Sequence, residues 1–318
     1  MRPCRSEFLE INGRRCHMRR WGRPGAPRLF LLHGWLDTSV TFQFLVDCFQ
    51  QEWDIVAPDW PGYGDSEWRR QQYYMQDDVV LLDAILDHYS PEAPASLVGH
   101  SYGGQVATLF SGARPERVRH YVSLEGFGSY QQPLSAAPRS MASWLERTRK
   151  ERGNSRYPGF DALAQRLITA NPRLAPHRAD ILAKGIGRTC EDDMAAVALL
   201  ADPWRRLRGM PLSFPTAAFF ETFLSAISAP ALWLRGDSSH YMAYVFPEAQ
   251  LYQDRFRHLS QGQEVLIKEA GHNLHHDQPE QLAEHIERFL SSPPAVSLNA
   301  PQRPNKSTAA GAILQSSP

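Results

Sequence analysis

The order of apolar runs and amphipathic stretches predicts alternating strands and helices up to about residue 126. The segment FLEINGRRCHMRRWG alternates apolar and polar residues around Asn12-Gly13, which indicates a β-hairpin. Short apolar runs such as RLFLLHG and ASLVGHS are typical of strands buried on both faces, whereas MQDDVVLLDAILDHY has the spacing of an amphipathic helix. This alternation predicts an α/β fold with a mostly parallel central sheet and helices on both faces.

The alternation is interrupted after a strand that ends near Glu125, and it resumes near residue 229. The intervening residues 129–228 contain mostly helical patterns, namely SMASWLERTRKER, FDALAQRLITAN, RADILAKGIG, EDDMAAVALLAD and TAAFFETFLSAI. An insertion of this length predicts a helical cap over a core formed by residues 1–128 and 229–291. Residues 292–318 are rich in Ser, Pro and Ala without periodicity, which predicts a disordered tail.

Composition narrows the classes of partner and the cellular compartment. Lys plus Arg and Asp plus Glu are both 34, so the chain lacks the basic excess typical of nucleic-acid binding. The four cysteines, at positions 4, 16, 48 and 190, form no close pair, which favours a reduced cytoplasmic protein. The N-terminus has no apolar signal region, and no apolar run is long enough for a membrane span. No pattern indicates an oligomeric state.

The strongest chemical signal is Gly99-His100-Ser101-Tyr102-Gly103, which lies between a predicted strand and a predicted helix. A strand-to-helix turn of this kind is called a nucleophile elbow, here shortened to the elbow. It needs glycine on both sides of the serine, because the backbone is crowded there. The turn exposes the serine hydroxyl, and the first N–H groups of the following helix face the same space. The motif therefore predicts Ser101 as a nucleophile and the Tyr102 N–H as an oxyanion donor.

Two further motifs follow predicted strands. His33-Gly34-Trp35 closes an earlier buried strand, and the Trp35 N–H can supply a second oxyanion donor. We expect His33 to hold this loop by hydrogen bonds rather than to act as a base. His272 follows the last predicted strand, where a neutral imidazole could reach Ser101 and take its proton.

These motifs together resemble the α/β-hydrolase superfamily. HGW, DWPGYGDS, GHSYGG and AGHNLHHDQPEQLA carry the resemblance, which extends from about Phe8 to Leu290. The stretches LLHGWLDTSVTF, SLEGFG and ADPWRRLR are most similar to the serine hydrolase-like group and its bacterial relatives. The resemblance implies a Ser–His–acid triad with the acid between Ser101 and His272 in the chain.

The triad acid has two candidates. In the family pattern the acid commonly stands three residues after a glycine that follows the cap, but three residues after Gly236 is Ser239. Glu125 ends the strand after the elbow helix, where open α/β sheets gather functional residues, and some α/β-hydrolases place the acid there. Asp237 is the alternative, although an acid after a glycine often only stabilises a turn. A site without an acid is the third reading.

The sequence indicates neither a metal nor a cofactor. The stretch HNLHHD contains His272, His275, His276 and Asp277, but it enters a helix as a loop, and His272 has the role of base. We therefore expect a cofactor-free hydrolase that cleaves an ester or thioester of a small, at least partly apolar molecule through an acyl-serine. The alternatives are C–C bond hydrolysis or cofactor-free dioxygenation on the same fold, and a ligand-binding protein without turnover.

Overall fold

The computed structural model describes residues 1–128, 134–150, 153–207 and 217–291. Its strands are β1 (Cys4–Ile11), β2 (Arg14–Gly22), β3 (Arg28–Leu32), β4 (Asp54–Pro58), β5 (Ala95–His100), β6 (Val118–Leu124), β7 (Arg156–Tyr157), β8 (Gly187–Thr189), β9 (Val197–Leu199), β10 (Ala231–Gly236) and β11 (Gly262–Ile267).

The α-helices follow most of the predicted helical patterns. They are α1 (Gln43–Cys48), α2 (Met75–Tyr89), α3 (Tyr102–Ala113), α4 (Ala137–Thr148), α5 (Phe160–Ala170), α6 (Pro176–Ile186), α7 (Ala217–Ala226), α8 (His240–Val245), α9 (Ala249–Phe256), α10 (Leu274–Asp277) and α11 (Pro279–Leu290). Short 3₁₀ turns occur at Ser39–Phe42, Pro115–Arg117, Leu134–Ala136 and Pro203–Arg206. None of the helices in these ranges is both long and apolar enough to cross a membrane.

The central sheet has the strand order β1-β2-β4-β3-β5-β6-β10-β11. The predicted hairpin is confirmed: β1 pairs antiparallel with β2, and Asn12 and Gly13 both have the positive φ that a two-residue hairpin turn of this kind requires. Within this order β4, β3, β5, β6, β10 and β11 pair in parallel, so their carboxyl ends meet at one edge. Parallel strands need helical crossovers, and these cover the sheet.

Apolar side chains cover both faces of the sheet, because alternate residues of a strand point to opposite sides. Along β3, Phe30 and Leu32 join a buried cluster that includes residues of α2 and α3. Leu29 and Leu31 join a second cluster that includes residues of α1 and α11. Both faces are therefore buried, as the continuous apolar runs predict.

The predicted cap segment differs from an all-helical insertion. The stretch EDDMAAVALLAD contains the strand β9 rather than a helix, and β9 pairs with β7 and β8 in a small antiparallel sheet. Val197 of β9 is buried with Leu163 and Leu182 in a separate apolar cluster. A short apolar run with a β-branched residue fits either structure, and here the strand partners decide it.

The last helix of the predicted cap segment, α7, packs on α3 of the core. Its Phe220 and Leu224 belong to the same buried cluster as Val106 and Phe110. The domain boundaries at residues 129 and 228 stay a prediction, and the predicted tail of residues 292–318 lies outside the described residues.

Candidate active site

Ser101 lies between the end of β5 and the first residue of α3. Its φ of 49° and ψ of −113° are unusual for a residue with a side chain, and such strained geometry is found mainly at functional sites. A Cβ at Gly99 would lie 2.6 Å from the Gly103 carbonyl oxygen, and one at Gly103 would lie 2.2 Å from the Leu32 carbonyl oxygen. The backbone of this turn is therefore as crowded as the two glycines predict.

His272 lies in the loop between β11 and α10 and reaches back to the serine. Its Nε2 is 3.0 Å from Ser101 Oγ across 171 residues of sequence. Its carbonyl oxygen accepts a hydrogen bond of 2.9 Å from His100 Nε2, which holds the loop against the elbow. The ring of Tyr241 lies beside the imidazole, with 4.2 Å between the centroids. The His272 side chain is 28 % exposed, so the site is open to a small molecule.

Glu125 follows β6 directly and is fully buried. Its Oε2 is 2.8 Å from His272 Nδ1, so the carboxylate accepts the hydrogen bond from the imidazole. The Ser239 hydroxyl also donates to Oε2, at 2.6 Å, and the Gly236 N–H donates to Oε1 at 2.8 Å. With three donors the buried carboxylate is well compensated. The structure thus brings Ser101, His272 and Glu125 together.

Asp237, the alternative acid, is exposed and contacts a different part of the structure. Its carboxylate accepts hydrogen bonds from the backbone N–H groups of Glu269, at 3.0 Å, and Ala270, at 3.3 Å. The bond from the Glu269 N–H is the main cause of a lowered Asp237 pKa. These bonds hold the turn after β11. The Asp237 side chain therefore stabilises a turn, which is the ordinary role of an acid after a glycine.

The loop after β3 holds His33, Gly34 and Trp35 beside the elbow. His33 Nδ1 donates to the Gly34 carbonyl at 2.8 Å, and His33 Nε2 accepts from the Trp60 N–H at 3.0 Å. Both ring nitrogens are therefore used within the loop. A Cβ at Gly34 would lie 2.9 Å from His100 Nδ1 and 3.5 Å from the Ser101 Cβ, so this loop lies directly against the elbow. Tyr102 is the first residue of α3, where the helix leaves N–H groups without an intrahelical partner.

A group of buried histidines surrounds the site, which we call the four buried histidines: His33, His100, His275 and His276. Burial lowers the pKa of each imidazole, to about 4 for His33 and about 3 for His276. Burial is the largest cause for every ring and outweighs the attraction of nearby carboxylates such as Asp59 beside His33, so these rings are neutral at pH 7. They pack around the elbow and His272 without carrying charge.

The side chains of the HNLHHD stretch point to separate partners. His272 contacts Ser101, whereas His275 and His276 both reach the Thr41 hydroxyl, at 2.8 and 2.6 Å. Asp277 accepts from the Gly271 N–H at 2.8 Å. The described part of the chain has two groups with ligand-type atoms within 4.8 Å of one another: Asp37, His275 and His276, and His17, Asp59 and Asp65. In the first group His275 is hydrogen-bonded to the Thr41 hydroxyl, and in the second His17 Nδ1 is hydrogen-bonded to Asp59 Oδ2 at 2.7 Å.

Sequence reasoning missed the contact between Ser239 and Glu125 and the packing of Tyr241 on His272. A signal for the first was present. Ser239 occupies the position at which the family resemblance places the acid, so a contact of its side chain with the acid at Glu125 could have been expected. No comparable sequence pattern indicates Tyr241, because α8, on which it lies, was not predicted.

A sequence model of the alpha/beta hydrolase fold matches residues 27–279. The chain belongs to this family. The match contains the elbow, the loop after β3, Glu125 and His272, so the elements that form the site belong to the shared fold.

Relatives of this α/β-hydrolase cover most of its length. It is 25 % identical over 289 residues to a serine hydrolase-like protein of Danio rerio, which covers 85 % of this chain and 83 % of that protein. It is 27 % identical over 281 residues to an esterase of Mycobacterium tuberculosis, covering 86 % and 85 %. The solved thioesterase domain from the curacin biosynthetic pathway superposes with a TM-score of 0.78 at 24 % identity, over 91 % of this chain and 100 % of that one. The predicted fold class is thus confirmed.

Proposed function

We propose that this chain is a cofactor-free serine hydrolase that cleaves an ester or thioester of a small, partly apolar substrate. The observation that carries the proposal is the continuous hydrogen-bonded path from Ser101 Oγ through His272 to Glu125. A serine hydroxyl is a weak nucleophile at neutral pH, and a hydrogen-bonded imidazole removes its proton as it attacks.

Ser101, His272 and Glu125 have distinct roles in the proposed reaction. Ser101 Oγ attacks the carbonyl carbon, and its proton passes to His272 Nε2. Glu125 keeps the proton of the neutral imidazole on Nδ1 and stabilises the imidazolium that forms. His272 then returns the proton to the leaving oxygen or sulfur, which departs as an alcohol or thiol and leaves an acyl-serine. A water molecule then attacks the acyl group as His272 Nε2 takes its proton, and the imidazolium returns that proton to Ser101 Oγ as the bond between the acyl carbon and Oγ breaks, which releases the acid and free Ser101.

The negative charge of the tetrahedral intermediate needs fixed donors. The backbone N–H groups of Trp35 and Tyr102 are the proposed pair, because they follow the ends of β3 and β5, which are neighbours in the sheet. Tyr102 also begins α3, whose N-terminal dipole favours an anion. Preorganised donors of this kind contribute about 2.7 to 4 kcal/mol each to transition-state stabilisation.

The preference for an ester and a partly apolar substrate rests on two observations. The relative from Mycobacterium tuberculosis is named an esterase. The ring of Tyr241 lies against His272, and the loop after β3 carries the exposed aromatic residue Trp35; aromatic side chains commonly line the sites of apolar substrates.

A fluorophosphonate probe tests this proposal, because it phosphonylates only an activated serine. We expect the native protein to be labelled on Ser101, as identified by peptide mass spectrometry, and Ser101→Ala to abolish both labelling and turnover of p-nitrophenyl esters. Ser238→Ala is the matched control, because this exposed serine lies near the site but contacts Asp237 rather than Glu125. If the native protein is unlabelled and binds a small molecule without turnover, the chain is a binding protein on this fold.

A further inference from the structure

Arg205, in the 3₁₀ turn Pro203–Arg206 of the predicted cap, inserts its side chain into the core. It is 6 % exposed. Its two terminal nitrogens donate to the two oxygens of Asp78 on α2, at 2.7 and 2.8 Å, and its Nε donates to the Pro61 carbonyl at 2.6 Å. Burial disfavours the charge, but Asp78 keeps the pKa of Arg205 above its ordinary value. A buried two-pronged pair of this kind fixes geometry strongly.

The same ion pair holds the side chain of Tyr102. The Tyr102 hydroxyl donates to Asp78 Oδ2, one of the oxygens that Arg205 binds. Burial raises the pKa of Tyr102 well above its usual range, so the phenol is neutral and acts as the donor. Tyr102, whose backbone N–H is one of the proposed oxyanion donors, is thus fixed through its own side chain to the partner of Arg205.

The backbone of Arg205 holds the second oxyanion residue. The indole Nε1 of Trp35 donates to the Arg205 carbonyl oxygen at 2.9 Å, across 170 residues of sequence. Arg205 also lies over the ring of Tyr63, which in turn packs edge-on against His33 in the loop that carries Trp35. Both residues proposed to supply oxyanion N–H groups are therefore attached to one residue of the predicted cap, Trp35 directly and Tyr102 through Asp78.

We propose that Arg205 is a positioning residue that sets the placement of the Trp35 and Tyr102 amides and so couples the predicted cap to the oxyanion hole. The inference rests on the proposed function, because these amides matter for rate only if a tetrahedral oxyanion forms at Ser101. Arg205 does not touch the reacting atoms. Donors are effective when they lie about 2.7 to 3.1 Å from the oxyanion, and they must be held within about 0.5 Å of the productive position, so a small shift of this anchor lowers the rate.

Arg205→Lys tests the inference, and Arg20→Lys is its matched control. Arg20 lies in strand β2, outside the site, and is also 6 % exposed. Its Nε donates to a backbone carbonyl, and its terminal nitrogens pair with Asp54 and Glu7. Each change keeps the positive charge and removes the planar guanidinium group with its several N–H donors. We would measure kcat and KM for p-nitrophenyl butyrate and the inhibition constant of a trifluoromethyl ketone, which forms a tetrahedral adduct with the serine.

We expect Arg205→Lys to lower kcat at least about tenfold relative to Arg20→Lys and to weaken the ketone by the same factor, with KM changed less than about threefold. The pH profile of kcat/KM should keep its apparent pKa, because Arg205 makes no bond to Ser101, His272 or Glu125. A shifted profile would locate the damage in those three residues and overturn the inference.

A second variant guards against misfolding of the lysine variant. Trp35→Phe leaves the ion pair intact and removes the bond to the Arg205 carbonyl, so kcat and ketone affinity should fall together. Equal kinetics for Arg205→Lys and Arg20→Lys, or a rise in KM alone, overturns the inference. The proposed function is tested first, on the native protein, before any variant is compared. If the native protein neither turns over an ester nor reacts with a fluorophosphonate, the proposed function is overturned together with this inference.

Discussion

Replacing Glu125 by glutamine changes one oxygen into an amide group at almost constant size. The native carboxylate accepts three hydrogen bonds, from the Gly236 N–H, the Ser239 hydroxyl and His272 Nδ1. If the glutamine oxygen keeps Gly236, its NH₂ group faces His272 Nδ1, which must then accept. The imidazole proton moves to Nε2, the atom that has to take the proton from Ser101.

The expected loss follows from this exchange of tautomer. Amide substitution of the acid in a Ser–His–acid triad lowers kcat about 10⁴-fold, because the base is held in the wrong form. At about 1.36 kcal/mol for each factor of ten, this corresponds to about 5.4 kcal/mol of activation free energy. The free energy of unfolding should fall by a smaller amount, about 1 to 3 kcal/mol, because the Gly236 bond is kept and the Ser239 hydroxyl can rotate.

The assay is steady-state hydrolysis of a p-nitrophenyl ester at pH 7.5, together with thermal unfolding of each variant. Asp237→Asn is the control, because its exposed side chain stabilises only the turn at Glu269, and we expect kcat within about twofold of the native value. A Glu125→Gln variant within tenfold of native activity would refute this reasoning. An equal, large loss in Asp237→Asn would assign the acid role elsewhere.

Two further predictions concern the acid position and pH. Ser239→Ala should lower kcat about fivefold to thirtyfold with little change in KM, since it removes one donor to the carboxylate that binds His272. Glu125→Gln combined with Ser239→Asp should have a kcat at least about tenfold above that of Glu125→Gln alone, because the new carboxylate lies next to the lost one. Steady-state rates without such recovery would contradict the position of residue 239 beside the triad acid. The four buried histidines have pKa values below 6.5 in the folded protein, so the unfolded chain binds more protons as pH falls below 6.5. The free energy of unfolding therefore decreases, by about 2 kcal/mol at pH 5 for a ring with a folded pKa of 4. The Asp37 pKa, raised to about 7 mainly by burial, acts in the opposite direction, but this single carboxyl is outweighed by the four imidazoles together. Urea unfolding at pH 7.5 and 5.0 should therefore show a loss, and equal midpoints would count against neutral, buried rings.

Much of the fold could be predicted because its signals are local. A run such as RLFLLHG has apolar residues for both faces of a strand, and MQDDVVLLDAILDHY coincides with α2 to the residue. The elbow could be predicted because its motif is local, and the need for Gly99 arises within the turn, where a Cβ would meet the Gly103 carbonyl; the need for Gly103 comes from Leu32 at the end of the neighbouring strand β3. Where an apolar run was short, as around Val197, its neighbours decided between strand and helix, and sequence reasoning was wrong.

The sequence by itself determined the fold class, the elbow serine and the candidate base, because each depends on residues close together in the chain. It left open whether Glu125 or Asp237 faces the imidazole. That question was decided by the pairing of β6 with β10, which brings Glu125 beside Gly236 and Ser239 from more than 100 residues away. The hydrogen bond from Trp35 to Arg205 is likewise beyond local reasoning, because it joins two segments that meet only when the chain has folded.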